Sequence, residues 1–290
     1  MSYKKSKVPF AKKSFGQNFL VDEKYIDKII GALDLQPGEL VIEIGPGRGS
    51  LTEKLIASGA RIVAIEIERE MIRVLKEDFG HHENFKLIEA DALKVDFREL
   101  VNPINSDDPP KTAKLVANLP YYISTAILQK LIEQRTVFSE MILMFQREVV
   151  ERITAPAGNK ERGFLTVLVE RYLETAKLFE VPPSAFRPAP KVWSAIMRLI
   201  TKSDGGNGKE NIAEKTENTE ADEKLFRQIV SAAFVQKRKT ILNNLKNAPP
   251  DLRAKIGDAE EFLTKSGIVA NRRAETLDFE EWKQLFAALN

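Results

Sequence analysis

The chain has no cysteine and only two histidines among its 290 residues. The absence of cysteine excludes disulfides, thiolate metal sites and cysteine nucleophiles. Because His81 and His82 are adjacent in a polar stretch, neither a histidine-built zinc site nor a Ser-His-Asp triad is expected. No apolar run approaches the ~18 residues that a membrane span requires, and no apolar stretch follows the N-terminal lysines. We therefore expect a metal-free cytoplasmic protein with no secretory signal and no membrane partner.

The charged residues nearly cancel over the whole chain, with 44 Lys and Arg against 42 Asp and Glu. Such a balance does not by itself indicate a nucleic-acid-binding protein. The basic residues are nevertheless clustered in the first thirteen residues, at residues 237–239 and at Arg272 and Arg273, whereas many acids lie within residues 202–222. This uneven distribution modestly favours a polyanionic partner.

The first two thirds of the sequence alternate short apolar runs with amphipathic patterns. Near-continuous apolar runs are typical of parallel strands that are covered on both faces. Such runs occupy residues 40–44, 61–65, 85–88, 114–117 and 141–145, and two further strands are predicted at 176–181 and 192–200. The alternation predicts an α/β fold with a seven-stranded, mostly parallel sheet and helices on both of its faces.

The last third of the chain has a different composition. Residues 202–222 are polar, with almost no apolar content, and predict a flexible linker. Apolar residues at helical spacing follow, and they predict helices near 225–234, 241–245, 253–263 and 279–289. The predicted organisation is a main domain at 1–201, a linker at 202–222 and a small all-α domain at 223–290.

A glycine-rich turn follows the first of these apolar strands. Gly45, Gly47 and Gly49 let the backbone turn sharply and approach a ligand without a Cβ in the way. The turn is not a Walker loop, because no Gly-Lys-Ser/Thr follows it, and its third glycine arrives one residue early for the dinucleotide pattern. Glu66 ends the next strand, where a carboxylate can bind both hydroxyls of a ribose, and Asp91 follows the third strand. These residues predict nucleoside binding, with NAD and S-adenosylmethionine both open.

The segment at residues 118–121, Asn-Leu-Pro-Tyr, closes the fourth predicted strand beside the same crevice. An exocyclic amine of adenine is a poor nucleophile, and two acceptors aimed at its hydrogens would stabilise the tetrahedral form that attacks a sulfonium methyl. The Asn118 side-chain oxygen and the Leu119 backbone carbonyl can be these acceptors. Pro120 restricts the turn, and the Tyr121 ring can stack on a flipped-out base. The segment therefore predicts methylation of an amine, for which no general base is required.

Several separated segments together resemble a known family. They lie at residues 16–20, 43–52, 66, 91–92, 118–122 and 186–194. In this order and at this spacing they are similar to the ribosomal RNA adenine N6,N6-dimethyltransferases, and most similar to the bacterial small-subunit branch connected with kasugamycin sensitivity. The resemblance runs from about residue 13 to the C-terminus and implies a Rossmann-like class I methyltransferase domain. Residues 202–222 depart from it, because this stretch is longer than the family leads us to expect.

The resemblance also implies roles for individual residues. The implied cofactor-binding residues are Gln17, Asn18, Leu20, Glu43, Gly45, Gly47, Glu66, Ile67, Asp91, Ala92 and Asn118, and the implied catalytic residues are Asn118, Leu119, Pro120, Tyr121 and Phe186. The implied cofactor is S-adenosylmethionine, with its ribose expected at Glu66 and its adenine at Asp91. Phe186 is expected to form a second aromatic wall against Tyr121, in an exposed turn that the two following prolines make rigid.

The reaction implied by the resemblance gives N6,N6-dimethyladenosine at two adjacent adenosines near the 3′ end of small-subunit (16S) rRNA. The expected substrate is a pre-ribosomal 30S particle, and the protein is expected to act as a monomer. Its helical domain either recognises RNA or has only a structural packing role. The phosphate contacts are predicted at the N-terminal lysines, Arg147, Arg152, Arg162, Lys191 and residues 237–239. Three alternatives stay open: a large-subunit rRNA methylase that confers antibiotic resistance, a non-catalytic assembly or transcription factor on the same fold, and a nicotinamide-dependent dehydrogenase.

Overall fold

The computed structural model describes residues 18–101, 112–202 and 216–289, so Gln17, the N-terminal lysines and most of the predicted linker lie outside the described residues. The strands are Phe19–Leu20 (β1), Leu40–Ile44 (β2), Arg61–Glu66 (β3), Phe85–Glu89 (β4), Ala113–Asn118 (β5), Phe138–Gln146 (β6), Leu173–Val181 (β7), Phe186–Arg187 (β8) and Ser194–Thr201 (β9). The α-helices are Glu23–Leu33 (α1), Ser50–Ala57 (α2), Arg69–Phe79 (α3), Arg98–Val101 (α4), Ser124–Glu133 (α5), Arg147–Ile153 (α6), Phe164–Tyr172 (α7), Thr216–Ala233 (α8), Ile241–Lys246 (α9), Pro250–Ile256 (α10), Ala259–Lys265 (α11) and Phe279–Ala287 (α12). Every strand predicted from an apolar run is present, with ends that differ by a few residues.

Seven of the strands form one sheet in the order β4-β3-β2-β5-β6-β9-β7. The pairs β2–β3, β3–β4, β2–β5 and β5–β6 are parallel, whereas β9 runs antiparallel to both β6 and β7. The predicted seven-stranded, mostly parallel sheet is therefore confirmed. The strand order reverses between β2 and β5, and ligands of such sheets bind at the carboxyl ends of the strands beside this reversal.

The central strands of the sheet are apolar because helices cover both of its faces. All five residues of β2 are buried. On α1, Ile26, Ile29 and Leu33 share one face and are buried in the same core cluster as Val41 of β2. The helix begins after Asp22, whose carboxylate accepts a hydrogen bond of 3.0 Å from the backbone N–H two residues on, as expected of an N-cap residue.

A separate two-stranded ladder holds the first described residues, which we call the N-terminal arm (residues 18–20). β1 pairs antiparallel with β8, with Phe19 opposite Arg187 and Leu20 opposite Phe186. Leu20 is buried and belongs to the main core cluster, as does Phe186. Backbone pairing and apolar packing therefore both fix the position of the arm.

The described residues form two compact units. One comprises the residues up to Val150 together with Leu173–Thr201, and the other, which we call the helical unit, comprises Glu151–Tyr172 together with the residues from Lys202 onward. The predicted boundary at residue 201 placed 151–172 in the main domain, so the grouping differs from the prediction there. No helix within the described ranges has the length and apolar content needed to cross a membrane.

Two further predictions about the helical unit require correction. Residues 216–222, predicted as part of the flexible linker, belong to α8. The helix predicted over 253–263 is instead two helices, α10 and α11. Gly257 separates them with a φ of +67°, and the Asp258 side chain caps the second by accepting from the N–H groups of Glu260 and Glu261.

Arg162 shows why residues 151–172 group with the C-terminal helices. Its side chain is fully buried, and its guanidinium donates to the backbone carbonyls of Ala155 (3.0 Å) and Leu277 (3.2 Å). The same group forms a bidentate pair with the Glu170 carboxylate, at 2.7 and 2.5 Å. Because Arg162 has no exposed surface, the prediction that it contacts RNA phosphates is wrong.

The predicted basic cluster at Arg272 and Arg273 also contributes to packing. Arg272 donates to the Thr276 carbonyl at 2.7 Å and to a Glu281 carboxylate oxygen at 3.0 Å. Burial lowers the pKa of the Arg272 guanidinium, but the hydrogen bond to Glu281 outweighs this effect and the pKa is raised. By contrast, residues 237–239 are exposed on the helical unit.

Replacing Arg162 by Met should lower the free energy of unfolding of the helical unit by about 3–5 kcal/mol, because it breaks a buried ion pair and leaves two carbonyls without a donor. Urea unfolding followed by the fluorescence of Trp282, which is buried in the same unit, measures this loss. Lys283→Met is the control, since it removes only an exposed pair with Glu280 and should cost less than about 1 kcal/mol. Equal losses for the two variants would contradict the structural importance of Arg162.

Candidate functional site

The glycine-rich turn after β2 lines a cavity at the carboxyl ends of β2, β3 and β5. Gly45 and Gly47 have φ values of +66° and +56°, in the left-handed region that favours glycine. A Cβ on Gly45 would meet no atom within 4 Å, whereas a Cβ on Gly47 would lie 2.9 Å from the Phe19 ring. The turn therefore leaves open space at Gly45 and allows the N-terminal arm to pack closely at Gly47.

The carboxylate of Glu66, at the end of β3, is bound by three backbone N–H groups. One oxygen accepts from Ile67 and Glu68, each at 2.9 Å, and the other accepts from Gly47 at 3.2 Å. Burial raises the pKa of Glu66 above its ordinary value, and the three N–H donors oppose that rise. These bonds fix the carboxylate at the cavity wall and use three of its four lone-pair sites, which leaves one site on Oε2 for a hydroxyl donor.

A second carboxyl group, that of Glu43 on β2, lines the same cavity. It is 1% exposed, and its Oε2 accepts a hydrogen bond of 2.7 Å from the Thr52 hydroxyl. Burial raises the pKa of Glu43 to about 8, and the Thr52 hydrogen bond opposes only part of this shift. Glu43 is therefore mostly protonated and neutral at pH 7.

The cavity brings together the residues predicted to bind the cofactor. With the exception of Gln17, which lies outside the described residues, all of them line it: Asn18, Leu20, Glu43, Gly45, Gly47, Glu66, Ile67, Asp91, Ala92 and Asn118. The predicted catalytic residues Leu119, Pro120 and Tyr121 line it as well. Arg48 and Phe19 also line the cavity and form a cation–π contact of 4.2 Å; both fall within segments that carried the resemblance, but neither was assigned a role. Their mutual contact is long-range and has no signature in the sequence.

The N-terminal arm orients the Asn118 amide at the end of β5. The Nδ2 of Asn118 donates to the backbone carbonyl of Asn18 at 3.3 Å. A carbonyl oxygen can only accept, so it selects the NH₂ end of the amide as its partner and leaves Oδ1 as an acceptor. Because both residues line the cavity, this orientation suits a ligand that offers an N–H group.

The half-buried ring of Tyr121 is held by its hydroxyl group, which lies 2.8 Å from the Oγ of Ser194 at the start of β9. Ser194 is fully buried, so the anchor belongs to the rigid sheet. Burial raises the pKa of the Tyr121 phenol, and the Ser194 hydrogen bond partly opposes this, so the phenol is neutral. Ser194 falls within a segment that carried the family resemblance, but its contact with Tyr121 is long-range and has no signature in the sequence.

Phe186 does not line the cavity. Its side chain is 1% exposed and packs in the core cluster with Leu20, Ile142 and Ile196. The exposed position predicted for Phe186 is therefore wrong. The prolines that motivated it restrict the turn after β8, while Phe186 itself lies opposite Leu20 in the ladder and turns inward.

The chemistry of the site is that of hydrogen-bonding and stacking groups. Within the ranges that the structure describes, no group of three or more His, Cys, Asp or Glu side chains could hold a metal ion. Glu66 can accept from hydroxyls, Asn118 can accept from an amine, and Tyr121 offers an aromatic face. These groups suit a nucleoside in the cavity and a planar base beside it.

Comparison with known proteins agrees with this geometry. A sequence model for ribosomal RNA adenine dimethylase matches residues 10–290. Ribosomal RNA small subunit methyltransferase A of Moorella thermoacetica is 41% identical over 280 residues, which cover 96% of this chain and 92% of that protein. The protein of the same name from Geobacillus thermodenitrificans is 38% identical over 278 residues, covering 96% and 90%.

Solved structures of related proteins share the fold over nearly the whole chain. A dimethyladenosine transferase from Plasmodium falciparum has a TM-score of 0.67 at 26% identity, covering 92% of this chain and 95% of that one. The 23S rRNA methyltransferase ErmE has a TM-score of 0.62 at 26% identity, covering 94% and 99%. Because the family model spans residues 10–290 and a relative 41% identical is covered over 92% of its length, this chain belongs to the ribosomal RNA adenine dimethylase family.

Proposed function

We propose that this chain uses S-adenosylmethionine to dimethylate the N6 amines of two adjacent adenosines near the 3′ end of small-subunit rRNA, in ribosome biogenesis. The observation that carries this proposal is the Asn118 amide, whose NH₂ is bound by the Asn18 carbonyl while its oxygen is left to accept from a base. Membership of the adenine dimethylase family supports adenine as the target. The 41% identity to a small-subunit methyltransferase supports the choice of ribosomal subunit.

The cavity residues fit the proposed cofactor. Glu66 offers the remaining lone pair of its Oε2 to a ribose hydroxyl, and the open space at Gly45 suits the methionine part. One Asp91 oxygen accepts from the Leu93 N–H at 2.9 Å, which leaves the other oxygen for the adenine amine. When bound, S-adenosylmethionine supplies an electrophilic methyl group on a sulfonium centre. The arm residues, with Gln17, would cover it.

The protein acts on the target amine by offering it acceptors. The amine lone pair is delocalised into the adenine ring, and attack requires the nitrogen to become tetrahedral. The Asn118 Oδ1 and the Leu119 carbonyl would accept its two hydrogens and stabilise the positive charge that develops. Pro120 restricts the backbone that carries the second acceptor. The ammonium product loses its proton readily, so no side chain needs to act as a general base.

Tyr121 would hold the target base by stacking, with its ring fixed by Ser194. Phe186 would support the site from the core, because it is paired with Leu20 of the arm and lies in the same core cluster.

We further propose that the enzyme acts as a cytoplasmic monomer on a pre-ribosomal 30S particle. The exposed basic residues 237–239 support RNA contact by the helical unit, and such contact would weaken with salt.

A second candidate is methylation of large-subunit rRNA. The likeness to the 23S rRNA methyltransferase ErmE over 94% of the chain favours it specifically. The curated relatives named for the small subunit are more similar, at 38% to 41% identity, so we place this candidate second. Assaying both ribosomal subunits in parallel separates the two.

Incubating the protein with isotope-labelled S-adenosylmethionine and unmethylated small ribosomal subunits should give two labelled N6,N6-dimethyladenosines. Nuclease digestion and mass spectrometry of the rRNA identify the product and its position. Large subunits treated in the same way should remain unlabelled. Label in the large subunit alone would favour the second candidate, and no label in either would refute rRNA methylation.

Asn118→Ala should lower kcat by roughly 10²–10³-fold, because an acceptor that acts mainly in the transition state is lost. Affinity for the ribosomal subunit should stay close to that of the unaltered protein. Filter binding and single-turnover methylation measure the two quantities separately. Near-normal turnover of this variant would rule out the acceptor role of Asn118.

Ser194→Ala should lower kcat/KM for the RNA about fivefold, because a net hydrogen bond of ~1 kcal/mol that holds the Tyr121 ring is lost. Tyr121→Phe removes the same bond from the other side. If the bond acts by fixing the ring, the double variant should lose little more than either single variant. Fully additive losses would show that Ser194 acts independently of Tyr121.

Glu43→Gln should change how stability depends on pH. The folded-state pKa of Glu43 is about 8, above its ordinary value of 4.5, so its contribution is fully present below pH 4.5 and declines as pH rises toward 8. The Gln variant lacks this decline, which is at most about 1.4 kcal/mol per pH unit. The difference in unfolding free energy between the variant and the unaltered protein should therefore grow in favour of Gln from pH 5 to 8. Glu77→Gln, at an exposed position on α3, is the control, and parallel curves for all three proteins would contradict the prediction.

A further inference from the structure

Two aromatic side chains differ in exposure from all the others that the structure describes. Tyr122 is 61% exposed and Trp193 is 44% exposed, whereas every other Phe, Tyr and Trp side chain within the described ranges is buried or half-buried. Tyr122 directly follows Tyr121, and Trp193 directly precedes Ser194, whose hydroxyl is hydrogen-bonded to that of Tyr121. The fold has therefore left its large exposed aromatic surface beside the proposed base site.

The sheet places these two residues at the same edge. β5 ends at Asn118, β6 ends at Gln146, and β9 begins at Ser194, which is directly opposite Gln146 in the antiparallel ladder. Trp193 therefore stands at the carboxyl edge of the sheet, two strands from Asn118, or about 10 Å at ~4.8 Å per strand. Its backbone is fixed there, since the Trp193 carbonyl accepts from the N–H of Arg147 at 2.9 Å.

The surroundings of this edge are mainly basic. Arg147 follows the residue opposite Ser194 in the ladder, and Lys191 precedes Trp193 by two residues; both are exposed, and Glu148 is an exposed acid beside them. Aromatic faces interleaved with cations are the pattern by which proteins bind single-stranded nucleic acid, because every base offers a π-face and every nucleotide a phosphate. The charge thus favours RNA over an acidic or apolar partner.

We infer that Tyr122 and Trp193 form a stacking edge for the nucleotides next to the target adenosine. This inference rests on the proposed function and extends it from the target base to its neighbours. Tyr121, with its hydroxyl held by Ser194, serves the base inside the cavity. Tyr122 lines the cavity but is 61% exposed, so it stands at the cavity opening, and Trp193 lies beyond it. The stacking edge holds the bases that stay outside, and the adjoining cations contact their phosphates.

A stacking edge matches a substrate with two adjacent adenosines. When one adenine occupies the cavity, the other lies one nucleotide away and needs a place outside. Methylation removes the N–H donors of adenine but keeps its π-face, so a stacking site accepts the neighbour before and after it has been modified. Hydrogen-bond recognition at that position would instead reject one of the two states. The edge therefore allows either adenosine to be modified first.

Trp193→Ala and Tyr122→Ala should each weaken binding of unmethylated small ribosomal subunits by roughly 5- to 140-fold, the range that ~1–3 kcal/mol per stacked base corresponds to. KM for the subunit should rise to match. For Trp193→Ala, kcat and the KM for S-adenosylmethionine should stay unchanged, because Trp193 does not line the cavity, whereas Tyr122 does. Trp193→Phe and Tyr122→Phe should restore most of the affinity because they keep an aromatic face. Ile200→Ala is the control, since it removes an exposed apolar side chain at the far end of β9.

A second measurement assigns the contact to a neighbouring base. The chain has two tryptophans, and Trp282 is fully buried in the helical unit, so quenching of exposed tryptophan fluorescence reports Trp193. A short single-stranded RNA with one adenosine should quench it. The same RNA with abasic sites flanking the adenosine should not, and with that RNA Trp193→Ala should carry no further loss of affinity.

The outcomes separate this inference from the proposed function. If the unaltered protein methylates small subunits while the alanine variants bind and turn over normally, the stacking edge is overturned and the function stands. If no subunit is methylated, the function fails, and equal quenching by intact and abasic RNA would then overturn the edge as well. If the alanine variants change the sedimentation of the protein but not its RNA affinity, the edge is a contact between copies of the chain, which also overturns it.

Discussion

The Glu66 carboxylate organises the site by accepting hydrogen bonds from two separate loops. Gly47, in the turn after β2, donates to one oxygen, and Ile67 and Glu68, after β3, donate to the other. The glycine turn and the start of α3 are thus tied to one charged group on a buried strand. The rest of the cavity depends on this arrangement, because the position of the turn sets both the open space at Gly45 and the contact with the N-terminal arm.

The arm connects this cofactor side to the catalytic side. It pairs with β8, packs Leu20 into the core and presents the Asn18 carbonyl to the Asn118 amide. An asparagine amide could otherwise adopt either of two orientations, of which only one offers an acceptor to the target amine. The side chain closest to the proposed chemistry is therefore oriented by a backbone atom one hundred residues away in the chain. This dependence couples correct folding of the arm to catalytic competence.

The features that could be predicted from the sequence are those with local signatures. The apolar runs of β2 to β6 indicate buried parallel strands, and the glycines, Glu66 and Asp91 fall at strand ends that the sheet brings together. Family membership, predicted from separated motifs, is confirmed. The roles of the site residues stay predictions, although their positions around one cavity support them.

The features that could not be predicted depend on packing between distant segments. Phe186 was expected in an exposed turn, but its place opposite Leu20 draws it into the core. Arg162 was expected to be a surface cation, but its guanidinium is buried against the Glu170 carboxylate and two backbone carbonyls. In both cases the prediction used the neighbours in the sequence, whereas the neighbours in space decide the burial.

Displacing the N-terminal arm should cost less free energy than displacing the sheet strands that line the cavity. The ladder between β1 and β8 has two residue pairs, whereas β2 pairs with β3 over five residues and with β5 over four. Its opening would break a few hydrogen bonds worth about 1 kcal/mol each and expose Leu20, at about 1.5–3 kcal/mol. Dimethylation of two adenosines consumes four donor molecules, so the cavity has to exchange its contents repeatedly. Opening this cover of three residues would permit that exchange and leave the seven-stranded sheet intact. The Asn118 amide would lose its Asn18 partner while the arm is open, so its orientation would be restored only on closing.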